Sequence, residues 1–178
     1  MNIHPLFVHF PIGLLVAYSA LEIATSVWPS IRRLAWLFPV KAFLLFTGVL
    51  GAVAALVSGG IAEEIIEGGS RSYILEVHAP AAGITTVLYV ILAAAYLNRV
   101  FDRNGWFDRI AGSNALLEWG WRTKKYVAHL ILDTWFTPLL ALLAVIGMIV
   151  TGALGAAIVY GPNADPIVSL VYHLFWAQ

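Results

Sequence analysis

The chain has 178 residues, 61% of them hydrophobic and only 11% charged, with ten basic and ten acidic side chains and no net charge. Soluble domains carry roughly 25% charged residues, so the composition excludes a water-soluble globular fold, and neutrality removes the basic footprint that nucleic acid requires. With no cysteine, disulfides, c-type haem attachment, iron–sulfur ligation and thiol catalysis are excluded within this chain, leaving His, Met and carboxylates to hold any metal or haem.

A helix needs about 20 apolar residues to cross a bilayer, and four stretches supply them. The first runs from near Pro5 to Trp28. The opening Met-Asn-Ile-His-Pro lacks the basic flank of a cleavable signal, so this stretch reads as a retained helix. The second runs from near Leu34 to Ala62 and the third from near His78 to Leu97. The fourth, from near Val127 to Tyr160, is interrupted by His129, Asp133 and Pro138, which moves its membrane part to about Thr137 onwards. The short apolar segment near 166–176 reads as an interfacial helix anchored by Trp176. The longest polar stretch, Asn98 to Tyr126, is too short to build its own core. The expectation is one all-α integral membrane domain over residues 1–178, a four-transmembrane-helix bundle with helices near 5–28, 34–62, 78–97 and 127–160.

Basic residues set the expected orientation. Arg32 and Arg33 lie in the first connection, and Arg99, Arg103, Arg109, Arg122, Lys124 and Lys125 in the third. The second connection has Arg71 alone among Glu63, Glu64, Glu67 and Glu76. The positive-inside rule then puts both termini and the second connection outside the cytoplasm, on the periplasmic side of a bacterial inner membrane. The stretch from Asp102 to Lys125, with Trp106, Trp119 and Trp121, reads as a cytoplasmic interfacial element.

A short internal repeat suggests two pseudo-symmetric helical hairpins. His9-Phe10-Pro11 opens the first helix and His78-Ala79-Pro80 the third. Val57-Ser58-Gly59-Gly60-Ile61 closes the second, and Val150-Thr151-Gly152-Ala153-Leu154 recurs near the end of the fourth. Parallel repeats of this kind are related by an axis along the membrane normal. Pro11 and Pro80 read as helix starts or kinks, since proline suits the first turn and disrupts the interior.

His4, His9, His78 and His173 fall on the outer side and only His129 on the inner. The repeat makes His9 and His78 equal in depth, able to face each other across the bundle. Gly59, Gly60, Gly152 and Gly155 remove side chains at that depth, and Tyr160 stands near its rim. Such small residues permit close helix packing and would equally leave a slot for a flat cofactor. Haem iron accepts axial imidazole, so a bis-histidine b-type haem fits, with His4 and His173 as reserve ligands. A mixed site of His4, His9 and His78 with Glu63 and Glu64 could instead hold Cu, Zn or Fe, all suited to imidazole. No HExxH or Gly-x-Ser-x-Gly motif is present. Glu22, Lys41 and Asp133 fall at similar inner depths on three helices, as a proton path or a buried ion pair would. No polar lining through the whole membrane is legible, which argues against transport.

The opening His4-Pro5-Leu6-Phe7-Val8-His9-Phe10-Pro11-Ile12-Gly13-Leu14-Leu15-Val16 resembles that of the bacterial membrane-protein family called domain of unknown function 2231. The closing Gly155-Ala156-Ala157-Ile158-Val159-Tyr160-Gly161 is similar to that family's Gly-x-x-Val-Tyr motif, and His78 fits its histidine at the third helix. The connection from Asp102 to Lys125 is longer than the family pattern. The resemblance implies a membrane fold without an assigned activity. Similar domains joined to Rieske-type or cytochrome c-type modules associate it with periplasmic electron transfer, an association and not a mechanism. The sequence reading is therefore a haem b electron-transfer protein with a separate periplasmic redox partner, an electron-transfer subunit more than a stand-alone enzyme. The competing reading is a cofactor-free structural or anchoring subunit of a larger membrane complex.

Overall fold

The computed structural model describes residues 4–66, 69, 71–106, 109 and 115–176, those at 4–7, 62–66 and 115 by their backbone alone. Helix α1 (His4–Val27) ends where Trp28 precedes Pro29, since a residue before proline is driven out of the helical region. Arg32, in the 3₁₀ turn Ile31–Arg33, donates from Nε to the free Thr25 carbonyl at 2.6 Å, a cation on the negative helix end. Helix α2 (Leu37–Ile66) carries Pro39 in its first turn, where no intrahelical N–H is needed. Helix α3 (Ser72–Arg103) closes at Asn104 and Gly105, the glycine taking a left-handed φ of 60°.

The stretch expected as one helix over 127–160 is two. Helix α4 (Ala115–Leu132) is separated from α5 (Phe136–Tyr160) by a three-residue turn over 133–135. Pro138 is the cause: its ring excludes the carbonyl four residues earlier, so α5 can start just before it but not continue back through it. Asp133 settles in the turn and pairs with Arg99 at 2.7 Å. The third helix also differs from expectation, starting at Ser72 and not near His78, and running to Arg103 and not Leu97. Pro11 and Pro80 lie inside α1 and α3 and mark no helix start. Each removes one N–H bond, a gap that the turns on either side hold closed. Helix α6 (Pro166–Phe175) follows a turn whose Asp165 Oδ1 accepts from the amides of Ile167 and Val168 at 2.8 and 2.9 Å, with Pro166 in the first turn.

Among the described residues four segments are long and apolar enough to cross a membrane: Val8–Val27, Leu37–Ile61, Ser72–Arg103 and Phe136–Tyr160. Their outer faces expose Phe43, Leu50, Val57, Ile84, Val87 and Ile149, a surface that suits acyl chains and not water. Helix α1 packs chiefly on α2, and α3 chiefly on α5, as two hairpins would, and α1–α5 and α2–α3 contacts complete the bundle.

Two packed regions fill the interior. Leu15, Tyr18, Leu45, Tyr89, Leu92 and Tyr96 are buried together at the end where α1 and α3 finish. The Tyr18 ring meets Tyr89 and Tyr96 edge-on at 6.4 and 5.8 Å, a favoured aromatic geometry. At the other end Ile74, Ala153, Leu154 and Ala157 pack under Val168 and Val171 of α6. The expected interfacial helix is therefore seated on α5 by one face, while Ile167, Leu170 and Leu174 stay exposed on the other.

Candidate functional site

A cavity of about 310 Å³ opens at the histidine-bearing end, where the residues turn small. Ala52 and Ala55 of α2, Ala82 of α3 and Gly152, Gly155 and Ala156 of α5 line it, alongside Val8, Pro11 and Ile12 of α1. Large side chains close the opposite half of the bundle, so the hollow follows from side-chain volume along the helices. The volume lies at the lower end of the range for small-molecule sites, and the walls are mostly apolar.

His9 and His78 both line this cavity, and so do Tyr160, Thr85, Thr86 and Thr151. His78 is half-buried, with Nδ1 3.1 Å from the Thr151 carbonyl oxygen. A carbonyl only accepts, so Nδ1 carries the proton and donates, and in the neutral ring Nε2 carries the lone pair. A backbone carbonyl bonded to the second ring nitrogen is the usual way a metal-ligating imidazole is oriented. The ring is also seated by Gly155: a Cβ there would lie 3.2 Å from His78 Cε1 and 3.7 Å from Nδ1. At Gly152 a Cβ would meet nothing within 4 Å, so this glycine leaves open space in the wall. His9 and Tyr160 are exposed, Tyr160 by 77%, which leaves the cavity open at that side.

The remaining candidates separate from this group. Gly59 and Gly60 are not among the lining residues; α2 contributes Ala52, Ala55 and Leu56 instead, because the cavity sits about one turn further into the bundle than the repeat implied. Gly60 faces open space. His173 packs edge-on against Tyr172 on α6, with ring centres 5.5 Å apart, and lies outside the lining. The side chains of His4, Glu63 and Glu64, and the whole of Glu67, lie outside the described residues. Among the described residues no group of three His or carboxylate side chains is placed to hold a metal ion. Arg71 donates to the Ile158 and Val159 carbonyls at 3.1 and 3.2 Å, closing the end of α5 beside Tyr160.

The inner trio divides in two. Lys41 Nζ lies 3.1 Å from Glu22 Oε2, with side chains only 11% and 6% exposed. Asp133 is elsewhere, bonded to Arg99 at 2.7 Å and to the His129 ring. Sequence reasoning missed the phenols around the pair. Tyr96 donates to Glu22 Oε1, and the Ser19 and Tyr89 hydroxyls are 2.9 Å apart. Their signal was available: positions 18, 19 and 22 on α1, and 85, 86, 89 and 96 on α3, recur at helical spacing and share inward faces.

A family model described as predicted membrane protein (DUF2231) matches residues 1–164, and the chain belongs to that family. No curated protein and no solved structure matches it.

Proposed function

We propose that this DUF2231 membrane protein binds haem b in the cavity at its histidine-bearing end, with His9 and His78 as axial ligands, and passes electrons to a separate redox protein at the outer face of a bacterial inner membrane. The observation that carries the reading is the convergence of both histidines on one apolar cavity, with His78 held by the Thr151 carbonyl in the tautomer that offers Nε2. The donor set suits the group: two imidazoles, no thiol, and open space in the wall at Gly152.

A bound haem supplies one-electron chemistry there. The chain's own residues do the rest. Gly155 and the Thr151 carbonyl fix the plane and reach of the His78 ring. Gly152 and the alanines leave the wall open, and Met148 and Val159 keep it apolar, which with the axial ligands tunes a potential. Tyr160 stands at the mouth, where its hydroxyl can meet a polar edge of the cofactor or a partner. A site with one open side suits exchange of electrons with a partner without entry of a substrate.

The test is haem content in purified single variants. His78→Ala and His9→Ala are each expected to lose most of the haem at unchanged expression. Full haem retention in both variants overturns the ligand assignment. A colourless protein carrying stoichiometric Cu, Zn or Fe would move the reading to a His/Glu metal site, and one that copurifies with a stable partner to an anchoring subunit.

A further inference from the structure

The ion pair and the tyrosines are left unused by an electron-transfer role, and they are costly to keep. Glu22 and Lys41 lie inside the bundle near its other end, and ionisable groups in membrane segments usually mark ion or proton pathways. Glu22 meets Lys41 from α2, Tyr96 from α3 and Tyr18 one turn back on α1, with Arg99 of α3 acting on Tyr96 from beyond. The Tyr18 side chain is fully buried, and its hydroxyl lies beside the Glu22 carboxylate and the Tyr96 hydroxyl, close enough to interact with both. A buried phenol hydroxyl beside a carboxylate and a second phenol calls for a role. Packing does not require it, because phenylalanine would fill the same space.

The hydroxyls continue toward the cavity. Ser19 and Tyr89 are bonded to each other beside Tyr18. One helical turn from Tyr89 along α3, about 5 Å, the buried Thr85 and Thr86 line the cavity. The cavity itself holds the Thr151 hydroxyl, buried and without a partner among the described residues, and opens past Tyr160. We propose that the Glu22–Lys41 pair, the Tyr96, Tyr18 and Tyr89 hydroxyls and the histidine-lined cavity form a proton pathway through this chain. Lys41 passes a proton to the Glu22 carboxylate and takes another from water at its own end. Glu22 passes that proton to a phenol oxygen as the phenol releases its own proton onward. Each O–H bond broken is replaced by one formed, so one proton crosses and every group keeps its count. Hydroxyl rotation restores the starting arrangement, and no oxidant or cofactor takes part.

The test uses the full chain in liposomes of neutral phospholipid, with a potassium–valinomycin potential and an internal pH-sensitive dye. Wild-type vesicles are expected to take up protons at least tenfold faster than protein-free vesicles. Tyr18→Phe and Glu22→Gln are expected to return to the protein-free rate. Tyr18→Phe removes the hydroxyl but keeps the ring that packs on Tyr89 and Tyr96, and with its unfolding profile matched to the wild type the loss reports the pathway. Proton entry at the protein-free rate in the wild type, or at the wild-type rate in Tyr18→Phe, overturns the proposal and leaves the cluster a structural ion pair. The assay needs no haem, so its outcome is independent of the cytochrome reading.

Discussion

Gly155→Ala probes the seat of the His78 ring, and its two opposing effects can be weighed. Alanine is favoured over glycine within a helix by about 0.8–1 kcal/mol. Against this, the new methyl would stand 3.2 Å from His78 Cε1, inside the optimum of about 3.5–4.0 Å for carbon pairs. The ring must retreat by a few tenths of an ångström. It is tethered at 3.1 Å to the Thr151 carbonyl one turn away on the same helix, and a retreat that stretches this bond towards about 3.6 Å loses it. Leaving the donor unsatisfied costs about 1–3 kcal/mol. Gly152→Ala is the reference, since its methyl meets nothing within 4 Å and only the helix gain remains. Gly155→Ala is therefore expected to be less stable than Gly152→Ala by about 1–3 kcal/mol, read by reversible unfolding in mixed micelles. In a His78→Ala background the difference should fall below about 0.5 kcal/mol, because the coupled pair is gone. A difference that persists in that background refutes the seating of His78 on Gly155.

Lys41→Met leaves Glu22 buried without its counter-charge and is expected to cost about 3–5 kcal/mol, while adding Glu22→Gln should recover most of the loss; the same unfolding assay measures both. The turn between α4 and α5 should depend on acid. Burial acts to raise the Asp133 carboxyl, but the bonds from Arg99 and His129 prevail and hold it below its ordinary value of 3.8. A depressed carboxylate contributes stability above its unfolded value and loses it as pH falls through the folded one, so the effect is confined to pH below about 4. Asp133 is half exposed, so the effect is small and fades with salt. Asp133→Asn should flatten the stability profile in that window, and an unchanged profile would contradict the triad.

The membrane class and the four spans were legible because apolar run length is set by bilayer thickness, which no tertiary contact overrides. The family was legible in the His4-Pro5 opening and the Val159-Tyr160 ending. Helix ends were not: Pro80 looked like a start, but α3 begins at Ser72, since one missing backbone bond does not break a helix held on both sides. His9, His78, Gly152, Gly155 and Tyr160 share one cavity, and the sequence placed them at one depth. Gly59 and Gly60 were grouped with them by the repeat alone, and that symmetry does not extend to the cavity wall. Tyr18, Tyr89 and Tyr96 went unread because tyrosine in a membrane helix is ordinarily an interfacial anchor. Only the meeting of α1 and α3 side chains across the middle of the bundle turns their hydroxyls into a buried cluster around Glu22.

The most direct measurement is an oxidised-minus-reduced visible spectrum of the detergent-purified chain, expressed with haem supplied and with metal content taken from the same sample. The account predicts a low-spin b-type spectrum at one haem per chain, consistent with two imidazole ligands. A colourless protein without bound metal would contradict it.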